Sequence, residues 1–230
     1  MEVILSPRLL LAASLVRNGA ILSDVGTDHA LLPAHLLLCG KIKRAIASDI
    51  VKGPLQRAEE TVRKYGLQDR VATVLTPGLT GIEAYHPTDI VIAGMGGETI
   101  AQILRDAPFV KDGALRLILQ PMTKGELLRD YLSSEGFLIE KEYRVKEEHR
   151  IYTILQVHYD GTPYHLDGMA RYFGAVSKEE RDELYYALLE KKKEQLLAVI
   201  AAKEQSGVNT AEEQEFLSAI EEQLPKTEDQ

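Results

Sequence analysis

Two hydrophobic periods alternate along the chain. Short apolar runs at 20–25, 44–48, 71–75, 89–93 and 114–119 read as buried strands, each running into Gly, Asp, Thr-Pro or Gln-Pro. Helical spacing fills the gaps. Ser6-Pro7 makes a helix start, because Pro fits the first helical position, and Asn18-Gly19 ends that helix. Further helices are expected over 29–39, 54–65, 98–106 and 124–134. Two longer strand-like stretches follow at 137–145 and 150–159. Only four residues separate them, too few for a parallel crossover, so they must pair as an antiparallel hairpin. Strands alternating with helices of about 10–15 residues imply a parallel sheet covered on both faces. The expected fold is therefore α/β, with a mostly parallel sheet and an antiparallel edge.

The pattern changes after Tyr159. Asp160-Gly161-Thr162-Pro163 is a break. Ser177-x-x-Glu180 and Thr210-x-x-Glu213 both fit the capping box and would open two helices, with Ser206–Asn209 as the turn between them. Helices joined by so short a turn pack antiparallel. The expected organisation is an α/β domain over 1–160 and a linker with a helical hairpin over 161–230.

Composition narrows the class. The chain has 230 residues, 45% hydrophobic and 27% charged, which suits a folded domain with an appendage. No apolar run approaches the roughly 18 residues a bilayer needs, and no signal peptide is evident, so cytoplasm and no membrane are expected. A single thiol, Cys39, makes no internal disulfide, and the scattered His29, His35 and His86 suggest no metal. The net charge of −8 is uneven: residues 161–230 hold 15 acidic and 8 basic residues, and residues 1–160 hold 20 and 19. The first part can carry a local basic surface; the tail is acidic.

In an open α/β sheet, ligands bind beyond the carboxyl ends of the strands, where strand order reverses. The residues after each predicted strand are therefore the candidates. After the first come Asp24, Gly26, Thr27, Asp28 and His29; after the second, Asp49; after the third, Thr76-Pro77-Gly78; after the fourth, Gly94-Met95-Gly96-Gly97; after the fifth, Gln120-Pro121. Gly26 lets backbone approach a ligand closely. Asp49, at the end of the neighbouring strand, suits a ribose diol. Asp24 and Asp28 would repel a pyrophosphate and favour a ligand carrying an ammonium and a sulfonium. The Gly-x-Gly-x-x-Gly dinucleotide pattern is absent. Together these features favour S-adenosylmethionine over NAD. Blander readings stand beside them: Asp28 as a helix N-cap, the glycines as plain turns, and Lys191–Lys193 as a solvated face.

The strings Ser6-Pro7-Arg8-Leu9, DVGTDHALLP from Asp24, Ala47-Ser48-Asp49-Ile50, the Asp89–Glu98 run ending AGMGGE, and Leu119-Gln120-Pro121 closely resemble the bacterial tRNA (adenine-22-N1)-methyltransferase family, TrmK. The resemblance covers residues 1 to about 160. It implies a Rossmann-like class I methyltransferase domain followed by a coiled-coil hairpin, and methyl transfer from S-adenosylmethionine to N1 of adenine 22 in tRNA. It places Arg8 at the cofactor carboxylate, and Asp24, Gly26, Thr27 and Asp28 around the methionine part. Asp49 and Ile50 fall at ribose and adenine, with Gly78, Ala93 and Gly94 lining the cofactor cleft. Asp28, His29 and Met95 fall at the reacting centre. Family members often carry an acid near Gly78 to meet the adenine amino group; here Thr76 and Pro77 stand there. Lys41, Lys43, Arg44, Lys124, Arg129, Lys146 and Arg150 are candidates to grip tRNA. A small-molecule methyltransferase and a non-catalytic RNA-binding scaffold are the competing readings.

Overall fold

The computed structural model describes residues 3–225. The chain folds as two compact units, Met1–His165 and Leu166–Gln230. The first unit runs past the expected boundary at 160 because 160–164 folds back onto it. The Asp160 and Gly161 amides donate to the Gly136 carbonyl, and Tyr164 N–H donates to Ser133 O at 3.0 Å.

In the first unit, α1 (Pro7–Leu15), α2 (Leu31–Leu38), α3 (Lys52–Lys64), α4 (Gly97–Arg105) and α5 (Gly125–Ser134) cover a seven-stranded sheet. The strands are β1 (Ala20–Val25), β2 (Ile42–Asp49), β3 (Val71–Leu75), β4 (Asp89–Gly96), β5 (Arg116–Thr123), β6 (Phe137–Glu147) and β7 (Arg150–Tyr159). Their order is β3-β2-β1-β4-β5-β7-β6. The first five are parallel, and β7 is antiparallel to both β5 and β6. The two-residue period sorts the core onto two faces. Val91 and Ile118 join the apolar cluster containing Ala12, Leu36 and Ala58 of α1–α3, while Ile90, Ile92, Leu117 and Leu119 join Ile100, Leu104 and Leu128 of α4 and α5.

Strand order reverses between β1 and β4, where Val25 is aligned with Ser48 on one side and Ile92 on the other. The carboxyl ends of the central strands thus meet at one crevice. β4 continues through the glycine segment expected to be a loop, and β5 continues through Gln120-Pro121, with the register shifting between Ala93 and Met95. Gly97 is fixed by packing: a Cβ there would stand 2.1 Å from the Lys124 carbonyl oxygen.

The second unit holds α6 (Gly168–Phe173), α7 (Glu183–Gln205) and α8 (Ala211–Gln223). The predicted α7·α8 pair is present, and the unpredicted α6 thickens its core, with Tyr172 and Phe173 packing around Phe216. The Ser177 box forms but closes only a 3-10 turn; α7 is capped instead by Asp182, which accepts from the Tyr185 amide at 2.7 Å. Thr210 makes no side-chain cap on α8; Asn209 Oδ1 accepts from the Ala211 amide. Among the described residues, no helix is long and apolar enough to cross a membrane, and no group of three or more His, Cys, Asp or Glu could hold a metal ion.

Candidate active site

The turn after β1 is built on backbone. Gly26 has φ +74, and the Gly26 and Thr27 amides both donate to the Ser48 carbonyl of β2, at 2.8 and 3.0 Å. This ties the turn to the strand that ends in Asp49. Thr27 is buried, and its hydroxyl oxygen accepts from the Ala30 amide at 3.0 Å. Ala30 has φ +50 and precedes α2, so the helix opens at Leu31 rather than at 29. Asp28 therefore caps nothing: the N-cap position falls to Ala30, which has no side-chain cap.

The two acids of the turn live in different surroundings. Asp24 is 8% exposed, and burial pushes its carboxyl up to about 6 against a partial offset from the Thr27 hydroxyl. Asp28 is exposed and ion-paired with Arg57 of α3, with Arg57 Nε at 3.2 Å from Oδ1. His29 Nε2 lies 3.4 Å from Asp28 Oδ2. Asp49 Oδ1 accepts from the Val51 amide at 2.6 Å, and its own carbonyl accepts from Thr76 N–H. Beside it Ile50 and Val51 are 68% and 54% exposed, an uncovered apolar step next to an acid.

Beyond β3, Gly78 has φ +55 and a Cβ there would press on Ile103 at 3.1 Å. The Thr76 hydroxyl is occupied, donating to Thr80 O at 2.9 Å. On the β4 side, Met95 crosses the crevice: a Cβ on Gly26 would fall 2.1 Å from Met95 Cε. Gly94 has φ +82, and its amide donates to Gln120 Oε1 at 3.0 Å. Arg8 Nη1 donates to the same oxygen at 2.7 Å. Arg8 also donates its amide to Glu147 and sets its guanidinium 5.5 Å from the Tyr152 ring centre.

The structure brings Asp24, Gly26, Thr27, Asp28 and His29 together on the β1 turn, with Met95 reaching over it from β4. Asp49 and Ile50 follow on β2, Gly78 after β3, and Ala93 and Gly94 on β4 beside Arg8. The sequence places Gln120 at a strand end without assigning it a chemical role, and it does not single out Arg57. Gln120 had one signal, a polar residue closing an apolar strand; Arg57, on an exposed helix face, had none.

The expected cations separate. Lys43 and Arg44 lie near the start of β2, about 20 and 17 Å from Asp49 at roughly 3.3 Å per residue. Lys41 Nζ donates to the Ala13 and Ser14 carbonyls at the end of α1. Arg129 is 4% exposed and forked onto buried Glu142 at 2.8 and 2.6 Å, so it is a core group and not a surface one. Lys124 pairs with Glu98 at the rim. β7 runs antiparallel to β5 with Leu155 opposite Leu119, so Lys146 and Arg150, near the β6–β7 turn, lie toward the same rim. In the tail, Lys193 pairs with Glu221 and Lys192 sits 4.3 Å from the Tyr172 ring centre.

A parallel sheet reversing at β1 and β4, an antiparallel closing hairpin and an acid-and-glycine rim together define a methyltransferase domain. A family model described as a methyltransferase domain matches residues 5–155. The tRNA (adenine(22)-N(1))-methyltransferase of Bacillus subtilis is 37% identical over 154 residues, 67% of this chain and 65% of that relative, so the match spans just under two thirds of its length. The B. subtilis m1A22 tRNA methyltransferase TrmK superposes with a TM-score of 0.86 at 27% identity, over 97% of this chain and 100% of that one. A Streptococcus pneumoniae protein solved with S-adenosyl-L-methionine superposes with a TM-score of 0.85 at 35% identity, over 96% and 100%. The chain belongs to the tRNA (adenine-22-N1)-methyltransferase family.

Proposed function

We propose that the chain transfers a methyl group from S-adenosylmethionine to N1 of adenine 22 in tRNA, in the cytoplasm. The observation that carries this reading is the rim. Buried Asp24, the Gly26 turn, Asp49 and the bare Ala93–Gly94 stretch meet where strand order reverses, on a chain whose relatives carry that activity in their names.

The residues suit this cofactor. Asp24, with Gly26 and Thr27, receives the methionine part; a desolvated carboxyl gains most from a ligand ammonium. Asp49 Oδ1 is held by its own loop, which orients the carboxylate for ribose hydroxyls, and exposed Ile50 covers the adenine. Gly78 admits the adenine edge, served by backbone because the Thr76 hydroxyl is engaged. Arg8 meets the cofactor carboxylate. Its Nε is buried with no protein partner, the donor such an anion would satisfy.

When bound, the cofactor supplies a methyl group already activated on a sulfonium. Adenine N1 has its own lone pair, so the protein's task is alignment, which contributes up to roughly 7–11 kcal/mol in favourable cases. N1 is on the pairing edge, so the base must leave its stack to be reached. Met95 closes over the Gly26 turn from the side where the base enters. Asp28, kept in place by Arg57 with His29 beside it, offsets the positive charge of the product base or takes the amino proton. Lys124, Lys146 and Arg150 hold phosphates around the rim. The acidic tail braces the tRNA by shape.

Transfer of labelled methyl to bulk tRNA, followed by mapping of the modified base by primer extension, tests the reading. A stop at adenine 22 supports it. Label in another nucleotide, in a small molecule, or in nothing despite cofactor binding refutes it.

A further inference from the structure

The most completely bonded side chain at the rim is one the proposed reaction does not use. Gln120 is fully buried within β5. Its Oε1 accepts twice, from Arg8 Nη1 at 2.7 Å and from the Gly94 amide at 3.0 Å. Its Nε2 donates to the Pro121 carbonyl at 2.8 Å, with the Met122 sulfur at 3.6 Å. The Nε2 contacts fix which way the amide points: the oxygen must face Arg8 and Gly94. A reversed amide would set two NH donors against two donors.

Arg8 comes from α1, far from β4 in sequence, and a flexible side chain loses rotamer freedom when it binds. Gln120 removes that freedom beforehand. It docks the guanidinium beside the Gly94 backbone of β4, in van der Waals reach: a Cβ there would stand 3.8 Å from Nη1. Arg8 Nε stays buried without a protein partner. A buried cationic donor left unmatched in the protein is what a receptor for an anion looks like before the anion arrives.

We propose that Gln120 is a positioning residue: it fixes Arg8 beside the Gly94 backbone of β4 as a preorganised receptor for the carboxylate of the cofactor's amino-acid part. The inference rests on the methyltransferase reading and adds to it a residue that acts through Arg8.

Calorimetric titration of the full chain, without tRNA, tests it with two probes. S-adenosylmethionine carries the carboxylate. Decarboxylated S-adenosylmethionine keeps the sulfonium and ammonium and lacks only that group. Gln120→Leu should weaken S-adenosylmethionine binding roughly 10- to 100-fold, the size of a charge-assisted hydrogen bond lost or disordered. Binding of the decarboxylated probe should stay within about twofold. Equal losses on both probes, or no loss on either, overturn the proposal. Gln120→Glu guards against misfolding, since it keeps volume and acceptor while its charge occupies Arg8. It should show the same selective loss, and unchanged S-adenosylmethionine affinity in this variant would also overturn the proposal. Failure of the unaltered chain to bind S-adenosylmethionine would sink the methyltransferase reading itself, a different result from loss of selectivity in the variants.

Discussion

Asp24 should make the protein less stable and more competent at the same time, and the two effects separate by pH. Burial raises its carboxyl from an ordinary 3.8 to about 6. At about 1.36 kcal/mol per tenfold in proton affinity, holding the ionised form costs the folded chain about 3 kcal/mol. The group binds its proton more tightly folded than unfolded. Its contribution to stability is therefore fully present below pH 3.8, shrinks as pH rises, and is lost above about 6. Asp24→Asn removes the titration. At pH 7.5 the variant should be more stable than the parent by up to about 3 kcal/mol, and at about 2–4 °C per kcal/mol for a chain of this size its melting temperature should rise by roughly 6–12 °C. The gap should close toward pH 4.

Cofactor affinity should move the opposite way. A ligand ammonium favours ionised Asp24, so binding below about pH 6 must first remove a proton. The dissociation constant should rise about tenfold per pH unit below that point and stay flat above it. Titration at pH 5.5 in buffers of different ionisation enthalpy should detect the released proton. In Asp24→Asn the affinity should be weak and the profile flat, which separates Asp24 from His29, an imidazole on the same turn. Thermal scans and calorimetry from pH 4.5 to 8 decide the matter. A variant no more stable than the parent at pH 7.5, or a parent affinity independent of pH between 5 and 7, would refute the assignment.

Three further outcomes are expected. Asp28→Asn should leave cofactor binding unchanged and lower the single-turnover methylation rate on the order of 10- to 100-fold; a full rate would remove Asp28 from the chemistry. The pair Lys146→Glu and Arg150→Glu should weaken tRNA binding and flatten the slope of log affinity against log salt by roughly 0.7–0.9 per lost phosphate contact. Lys43→Glu with Arg44→Glu, near the opposite ends of the strands, should do neither, and equal slopes in the two doubles would place the grip elsewhere. Arg129→Leu should cost about 3–5 kcal/mol by stranding buried Glu142, and adding Glu142→Leu should recover most of it. A double variant as unstable as the single would show that packing, and not the lone charge, sets the loss.

The parallel core, its antiparallel edge and the paired tail helices were legible because each rests on periodicity. A strand buried on both faces, as at Ile90–Ile92, must be a continuous apolar run, and a link as short as 146–149 forbids a crossover. The rim was legible for a related reason: chain order places strand ends, and strand ends place ligands. What the pattern could not show is burial and pairing among polar residues. Lys41 and Arg129 look like surface cations in the sequence, yet one holds carbonyls at the end of α1 and the other lies in the core on Glu142. The second cap failed for a similar reason. Thr210-x-x-Glu213 has the right spacing, but Glu213 is taken by Lys203 at 2.6 Å, a partner from the neighbouring helix that no local motif reveals.

The β1 turn shows the same limit within four residues. Asp24 and Asp28 are the same side chain on the same loop, and charge alone made them one acidic patch. The fold divides them. Asp24 lies one residue before the end of β1, with Ala47 and Val91 opposite it on the two neighbouring strands, so it is desolvated and reluctant to ionise. Asp28 lies beyond the glycine, exposed, with Arg57 already supplying its counter-charge. On the proposed reading, the acid without a cation meets the ammonium of the cofactor, and the acid already matched, with solvent on its other side, answers charge that develops later, on the base being methylated. Gly26 separates the two acids. Its positive φ lets the chain leave the sheet between them, and the same turn carries the amides that bind it to β2.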